Sequence, residues 1–275
     1  MTMSIVTKKG GNTMQGFLQI LNKGVRHRAA AMGFVLFMTS TVAQAGWFSS
    51  ASSPDNVNPI TAEQVKKVLE QNPQYVYDAL VAYQKQQAEV KQLDIQKYLT
   101  THARKLFYSK NDGVIGNPQG KTSLLILNDY RCGYCSKARL IIDDVIKNND
   151  DVRVVIKQLP ILGPESKYAA KAATLAQQKN KFDQFDAKLG ALTKPITTEK
   201  VNTALKQTGL REQDLTANTD ALDAVIRENY VHAQNLAVQG TPVLIIANSN
   251  LTKVEFIENV LDQKAIESRI KSFQS

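Results

Sequence analysis

The sequence predicts an α/β fold: a sheet interrupted by a large helical insertion and preceded by an N-terminal helical module. Three patterns carry this. TSLLILN (122–128) and DVRVVIKQLP (151–160) are apolar runs of strand length, as strands covered on both faces require. Between them SKARLIIDDVIKNN (136–149) repeats its apolar residues with a helical period, giving the strand–helix–strand order of the α/β class. Residues 166–238 then read as helix after helix before the strand-like VLIIAN (243–248).

Residues 1–45 read as a signal peptide. Lys8, Lys9, Lys23, Arg26 and Arg28 stand there without one acid, and AAAMGFVLFMTSTV (29–42) is apolar but too short to span a bilayer. Ala43-Gln44-Ala45 has the small-x-small form of a cleavage site, so export with cleavage after Ala45 is expected, to the periplasm. No cysteine follows that site, which argues against a lipoprotein. The formal +9 then falls to 29 basic against 25 acidic residues, mixed along helical faces, and nothing points to nucleic acid. The Ser/Asn-rich stretch 46–58 reads as a flexible leader.

The helical module is expected over 59–110. Thr61 and Gln64 form a T-x-x-Q capping box, Val65, Val68 and Leu69 supply an apolar stripe, and Asn72-Pro73 ends the helix. A second helix runs over about 73–108. Val76, Leu80 and Tyr83 share a face near its start; Ile95, Leu99, Ala103 and Leu106 share another near its end. The polar KQQAEVKQ (85–92) separates them. A helix this long cannot cover its own stripes, so they need a partner, either the domain that follows or a second copy of the chain; the polar middle, read as a spacer between two packed ends, favours self-association through 59–108.

From 111 to 275 the chain reads as one domain. FYSKNDGVIGNPQGK (107–121) connects to it through a short first strand, and the helix after strand 122–128 carries Leu140, Ile141 and Val145 inward. Within the insertion, Tyr168, Ala169, Ala172 and Leu175 mark one helix and Phe182, Phe185 and Leu189 another. Val201, Leu205 and Leu210 mark a third, and Leu222, Val225, Ile226, Tyr230 and Leu236 the last. LTKVEF (251–256) is a hairpin partner for VLIIAN, and DQKAIESRIKSF (262–273) a closing helix.

The chain's two cysteines, Cys132 and Cys135, lie between strand and helix in DYRCGYCSK. Outside the cytosol cysteines pair. A bridge across two intervening residues closes too small a loop to staple a fold, and zinc needs two further ligands that no nearby histidine supplies. Metal is therefore not expected, and reversible dithiol chemistry is. Cys132, at the tip of the 133–148 helix, is expected to be a nucleophilic thiolate, because unpaired N–H groups and the positive helix end favour the anion. Cys135, one turn further in, is expected to be shielded and to resolve the mixed disulfide. Tyr130 and Tyr134 either line a peptide groove or pack in the core.

These motifs resemble the DsbA family of exported thiol:disulfide oxidoreductases. The apolar strand into DYRCGYCSK, the VIGNPQGK lead-in, the insertion beginning PILGPES and the helix ending NLAVQGTP before VLIIAN all match, over 111–275. The resemblance implies a thioredoxin-like fold of DsbA type with no bound cofactor beyond the redox-active pair. It also implies a cis Pro242 lying against the reactive cysteine, with the Thr241 backbone placed to bind an extended client peptide. The dipeptide Gly133-Tyr134, which tunes the pair, and Thr241 are instead typical of DsbC-type isomerases. The resemblance further implies a homodimer or homotrimer joined through 59–108, exported cysteine-containing clients, and a membrane partner, a DsbD-like reductase or a DsbB-like oxidase. The expected activity is isomerase or reductase, with oxidase also possible; a dedicated oxidase and a Cu(I)-binding surface protein are the alternatives. One departure stands out. The buried carboxylate that this family keeps six residues before the first cysteine is Ile126 here, and the nearest acid, Asp129, is expected to be exposed or bonded to backbone. Proton handling at Cys135 then falls to water or Lys137.

Overall fold

Thr61 opens the first helix, α1 (Ala62–Gln71), through the expected reciprocal cap. Its Oγ1 accepts from the Gln64 N–H at 3.3 Å while Gln64 Oε1 accepts from the Thr61 N–H at 2.9 Å. The structure, a computed structural model, describes residues 59–274; the expected signal peptide (1–45) and leader (46–58) lie outside the described residues. Pro73, which has no N–H to lose, starts α2 (Gln74–Tyr108), an unbroken helix of 35 residues. No residue of α1 is buried, and along α2 burial begins only at Ile95. From there Ile95, Leu99, Ala103, Leu106 and Phe107 join a core with Leu125, Leu127, Val155 and Ile245.

That core lies on one face of a five-stranded sheet of β1 (Gly113–Gly116), β2 (Thr122–Asn128), β3 (Val152–Gln158), β4 (Val243–Ala247) and β5 (Val254–Ile257), in the order β1-β3-β2-β4-β5. β2 and β3 are parallel, joined through α3 (Gly133–Asn148); every other neighbouring pair is antiparallel. Strand alternation sorts the side chains. Leu124, Ile126, Val154 and Ile156 enter a second core with Ala138, Ile142 and Val145 of α3 and Ile266 and Ile270 of α9 (Gln263–Gln274). Both faces of the central strands are thus covered, which explains their unbroken apolar sequence. Leu140, expected inside with Val145, is 68% exposed: the inward stripe of α3 runs through Ala138 and Ile142.

Between β3 and β4 the insertion folds as α4 (Pro164–Gln178), α5 (Phe182–Gly190), α6 (Thr198–Gln207), α7 (Glu212–Ala217) and α8 (Thr219–Asn235). Phe182 reaches so far over β1 that a Cβ on Gly113 would overlap its ring. Two charges in the apolar run of β3 are buried on the α2 side. The Lys157 ammonium donates to Asp112 Oδ2 at 2.5 Å, and the Arg153 guanidinium donates to the Phe107 carbonyl at 2.6 Å beneath the Tyr108 ring. They tie the end of α2 to the sheet. Higher on α2, the Tyr98 hydroxyl lies 2.8 Å from Nδ1 of buried His232 on α8, and half-buried His102 stacks on Tyr98.

Candidate active site

Antiparallel pairing of β2 with β4 sets Leu127 opposite Val243, so the end of one strand lies beside the start of the other. The Cys132 turn leaves β2 there, and the cis Thr241–Pro242 peptide enters β4 there. Chain segments 109 residues apart meet as a result: the Cys132 thiol donates to the Thr241 carbonyl at 3.3 Å. Cys132 also caps α3, its Sγ accepting the Cys135 N–H at 3.3 Å, one of the amides a helix start leaves free. Both cysteines are present as thiols. The structure therefore brings together all six residues singled out in the sequence: Cys132, Gly133, Tyr134, Cys135, Thr241 and Pro242.

The two sulfurs differ in surroundings. Cys132 is 8% exposed and Cys135 only 1%. Burial pushes the Cys135 thiol up to about 12, although a hydrogen bond with Thr241 and the Asp129 backbone pull the other way. Cys135 is thus a neutral thiol at physiological pH. Tyr134, between them, is exposed, with the Lys137 ammonium 5.6 Å from its ring centre. Tyr130 instead packs in the core, edge-on to Phe185, its hydroxyl donating to Asp186 Oδ1 at 2.8 Å.

Asp129 is buried, and backbone takes up its carboxylate. Oδ1 accepts from the Arg131 N–H, and Oδ2 from those of Ile161 and Leu162, all within 3.0 Å. It anchors the cysteine turn to the segment after β3. Behind Cys135 opens a cavity of about 410 Å³ that Ile126, Asp129, Tyr130, Arg139, Asp186 and Lys194 help to line. Lys137 is not on its wall. Lys194, from the α5–α6 loop, donates to the Tyr130 carbonyl at 3.0 Å. Nothing in the sequence spacing of Lys194, Arg139 and Asp186 relates the insertion to the cysteine turn, so only the fold brings them to the site. Among the described residues, no group of three or more His, Cys, Asp or Glu is placed to hold a metal ion.

A thioredoxin family model matches residues 108–268, more than half of the chain. Among solved structures, a linker-deleted variant of Proteus mirabilis ScsC is 22% identical over 78% of this chain and 97% of its own, with a TM-score of 0.59. A thioredoxin-like oxidoreductase from Silicibacter pomeroyi DSS-3 is 28% identical over 61% of this chain and 97% of its own, TM-score 0.52. A periplasmic thioredoxin-like protein from Salmonella enterica serovar Typhimurium is 25% identical over 64% and 97%, TM-score 0.52. No curated protein matches the chain. A thiol pair at a helix start, Cys135 more deeply buried than Cys132, on this sheet and within this matched span, leads to one conclusion: the chain belongs to the DsbA-like thioredoxin family of thiol–disulfide oxidoreductases.

Proposed function

We propose that the chain is an exported, oligomeric protein-disulfide isomerase and reductase. The Cys132 thiolate attacks a client disulfide, forming a bond to one client sulfur while the other leaves as thiolate. Rearrangement within the client then expels Cys132, or Cys135 attacks Cys132 Sγ and releases a reduced client. The paired contacts of Cys132, to the Cys135 N–H and to the Thr241 carbonyl, carry this reading. Thr241 offers backbone to an extended peptide beside the reacting sulfur, and exposed Tyr134 borders the approach. The clients are exported cysteine-containing proteins, and a DsbD-like membrane reductase keeps the pair reduced in the periplasm.

Isomerisation rather than oxidation is favoured by the head. Among the described residues, Val65, Val68 and Leu69 on α1 and Val76, Leu80 and Tyr83 on α2 are all exposed apolar residues, and a second copy of the chain would cover them. Packing puts Ile95–Phe107 with the catalytic core, so we place the junction between head and body near Leu93. The DsbA-type insertion between β3 and β4 favours a second reading, a dithiol oxidase reoxidised by a DsbB-like partner.

The test uses the mature chain and its V76E/L80E double variant. We expect an oligomer by light scattering for the parent. The variant should be a monomer that still reduces insulin but no longer refolds scrambled ribonuclease. A monomeric parent would remove the isomerase reading. Cysteines found mainly oxidised after alkylation trapping in cells would select the oxidase.

A further inference from the structure

The pair needs negative charge on Cys135 Sγ twice, and the family's usual helper is missing: the carboxylate position is Ile126, on the wall of the cavity behind Cys135. The charged groups facing that cavity are Asp129, Asp143, Asp186, Arg139 and Lys194, with Lys200 close behind. Most are already engaged. Asp129 holds three backbone N–H groups. Asp186 accepts from the Tyr130 hydroxyl and, at 2.7 Å, from the Arg139 guanidinium, which also pairs with Asp143. Lys194 differs: its one hydrogen bond is to a neutral carbonyl, that of Tyr130, and among the described residues it forms no ion pair. Its charge, felt by Asp186 as well, acts across the cavity it shares with Cys135.

We propose that Lys194 is the positioning residue for Cys135, its ammonium stabilising the negative charge on Cys135 Sγ whenever that sulfur attacks or leaves; the inference rests on the exchange reaction proposed above. In resolution, Cys135 gives its proton to cavity water and attacks Cys132 Sγ. The Cys132–Cys135 bond forms, the Cys132–client bond breaks, and the electron pair departs on the client sulfur, which takes a proton from solvent. The pair is oxidised by two electrons and the client reduced by two. In the reverse direction a client thiolate attacks Cys132 Sγ and Cys135 leaves as the anion, so the same charge is met by the same ammonium. Burial of Lys194 lowers its pKa, with Asp186 and Cys135 opposing, in keeping with an ammonium held out of bulk water beside developing negative charge.

The experiment resolves the two sulfurs in time. Reduced full-length protein is mixed with stoichiometric dithionitrobenzoate, and release of the coloured thiolate is followed by stopped flow. The first phase reports attack by Cys132 and the second resolution by Cys135. In K194Q the second phase should slow about tenfold at each pH, equivalent to about one unit along the pH axis, while the first keeps its rate. K194R, which keeps the charge, should stay within about threefold of the parent, and K194E should be slower than K194Q. An unchanged second phase in K194Q and K194E overturns the role of Lys194 but leaves the exchange reaction standing. Equal slowing of both phases, or no recovery in K194R, also overturns it, as a merely structural lysine. Parent protein that releases no coloured thiolate in the first phase refutes the exchange reaction itself.

Discussion

Cys135 should be among the least reactive thiols in its surroundings until Cys132 draws it into a disulfide. Its thiol is pushed up to about 12, so at pH 7 only about one molecule in 10⁵ carries the thiolate. A free cysteine near 8.5 is about 3% ionised at that pH, some three thousand times more. The perturbation is Cys132→Ser, which leaves Cys135 as the lone cysteine. Removing Cys132 also removes the two smaller influences that raise Cys135, but the leading cause, burial, stays. Iodoacetamide labelling followed by mass spectrometry should therefore run roughly a thousandfold slower on the folded variant than on the same variant in urea. Two mechanisms slow the reaction, poor access and low ionisation, and pH separates them. A thiol that is only hidden would level off above pH 9. A thiol held neutral gains tenfold per pH unit through pH 10. A plateau below pH 9, or folded labelling within tenfold of the unfolded rate, would refute the reasoning.

Two further outcomes concern the junction of α2 with the body. Asp112→Ala strands the Lys157 ammonium where its side chain is 2% exposed and should cost about 3–5 kcal/mol in urea unfolding, whereas D112L/K157M should recover most of that. His232, whose pKa burial and the Lys157 cation lower to about 4, is neutral when folded; the unfolded chain binds its proton near 6.5. Between those values the unfolded state holds more protons, so stability is complete above pH 6.5 and falls as pH drops to 4, by up to about 3 kcal/mol. His232→Gln should flatten that slope in urea midpoints measured at pH 7 and 4.5.

Much of this architecture was legible because each signal was local. The Thr61–Gln64 cap, the strand 122–128 and the helix from 133 each depend on residues within one or two turns, and they fall where the sequence put them. The faces of α2 followed from period alone: the stripe through Ile95 and Leu106 is buried, and the one through Val76 and Tyr83 is not. The misreadings have long-range causes. Leu140 fits a helical stripe as well as Ile142 does, and only the direction of the sheet decides between them. α7 is six residues beginning after Arg211, whose side chain pairs with Asp214, too short for periodicity to reveal. At the site, DYRCGYCSK announced its sulfurs, but Lys194 reaches the Tyr130 carbonyl beside them from 64 residues further along the chain. The burial of Lys157 has no local sign, because its partner, Asp112, belongs to the connector before β1.

The continuity of α2 also sets a rotation. At 100° per residue, the stripe of Val76, Leu80 and Tyr83 lies about 130° around the axis from that of Ile95, Leu99, Ala103 and Leu106. In the proposed oligomer, one rod would therefore fix both which way the heads meet and which way each catalytic body faces. Inserting two residues in 85–92 would swing every reactive sulfur through more than half a revolution, while seven would nearly restore its bearing and move it outward by about 10 Å. In the oligomer proposed above, spacing along that polar stretch would set how far apart, and at what angle, two sulfurs confront a single misfolded chain.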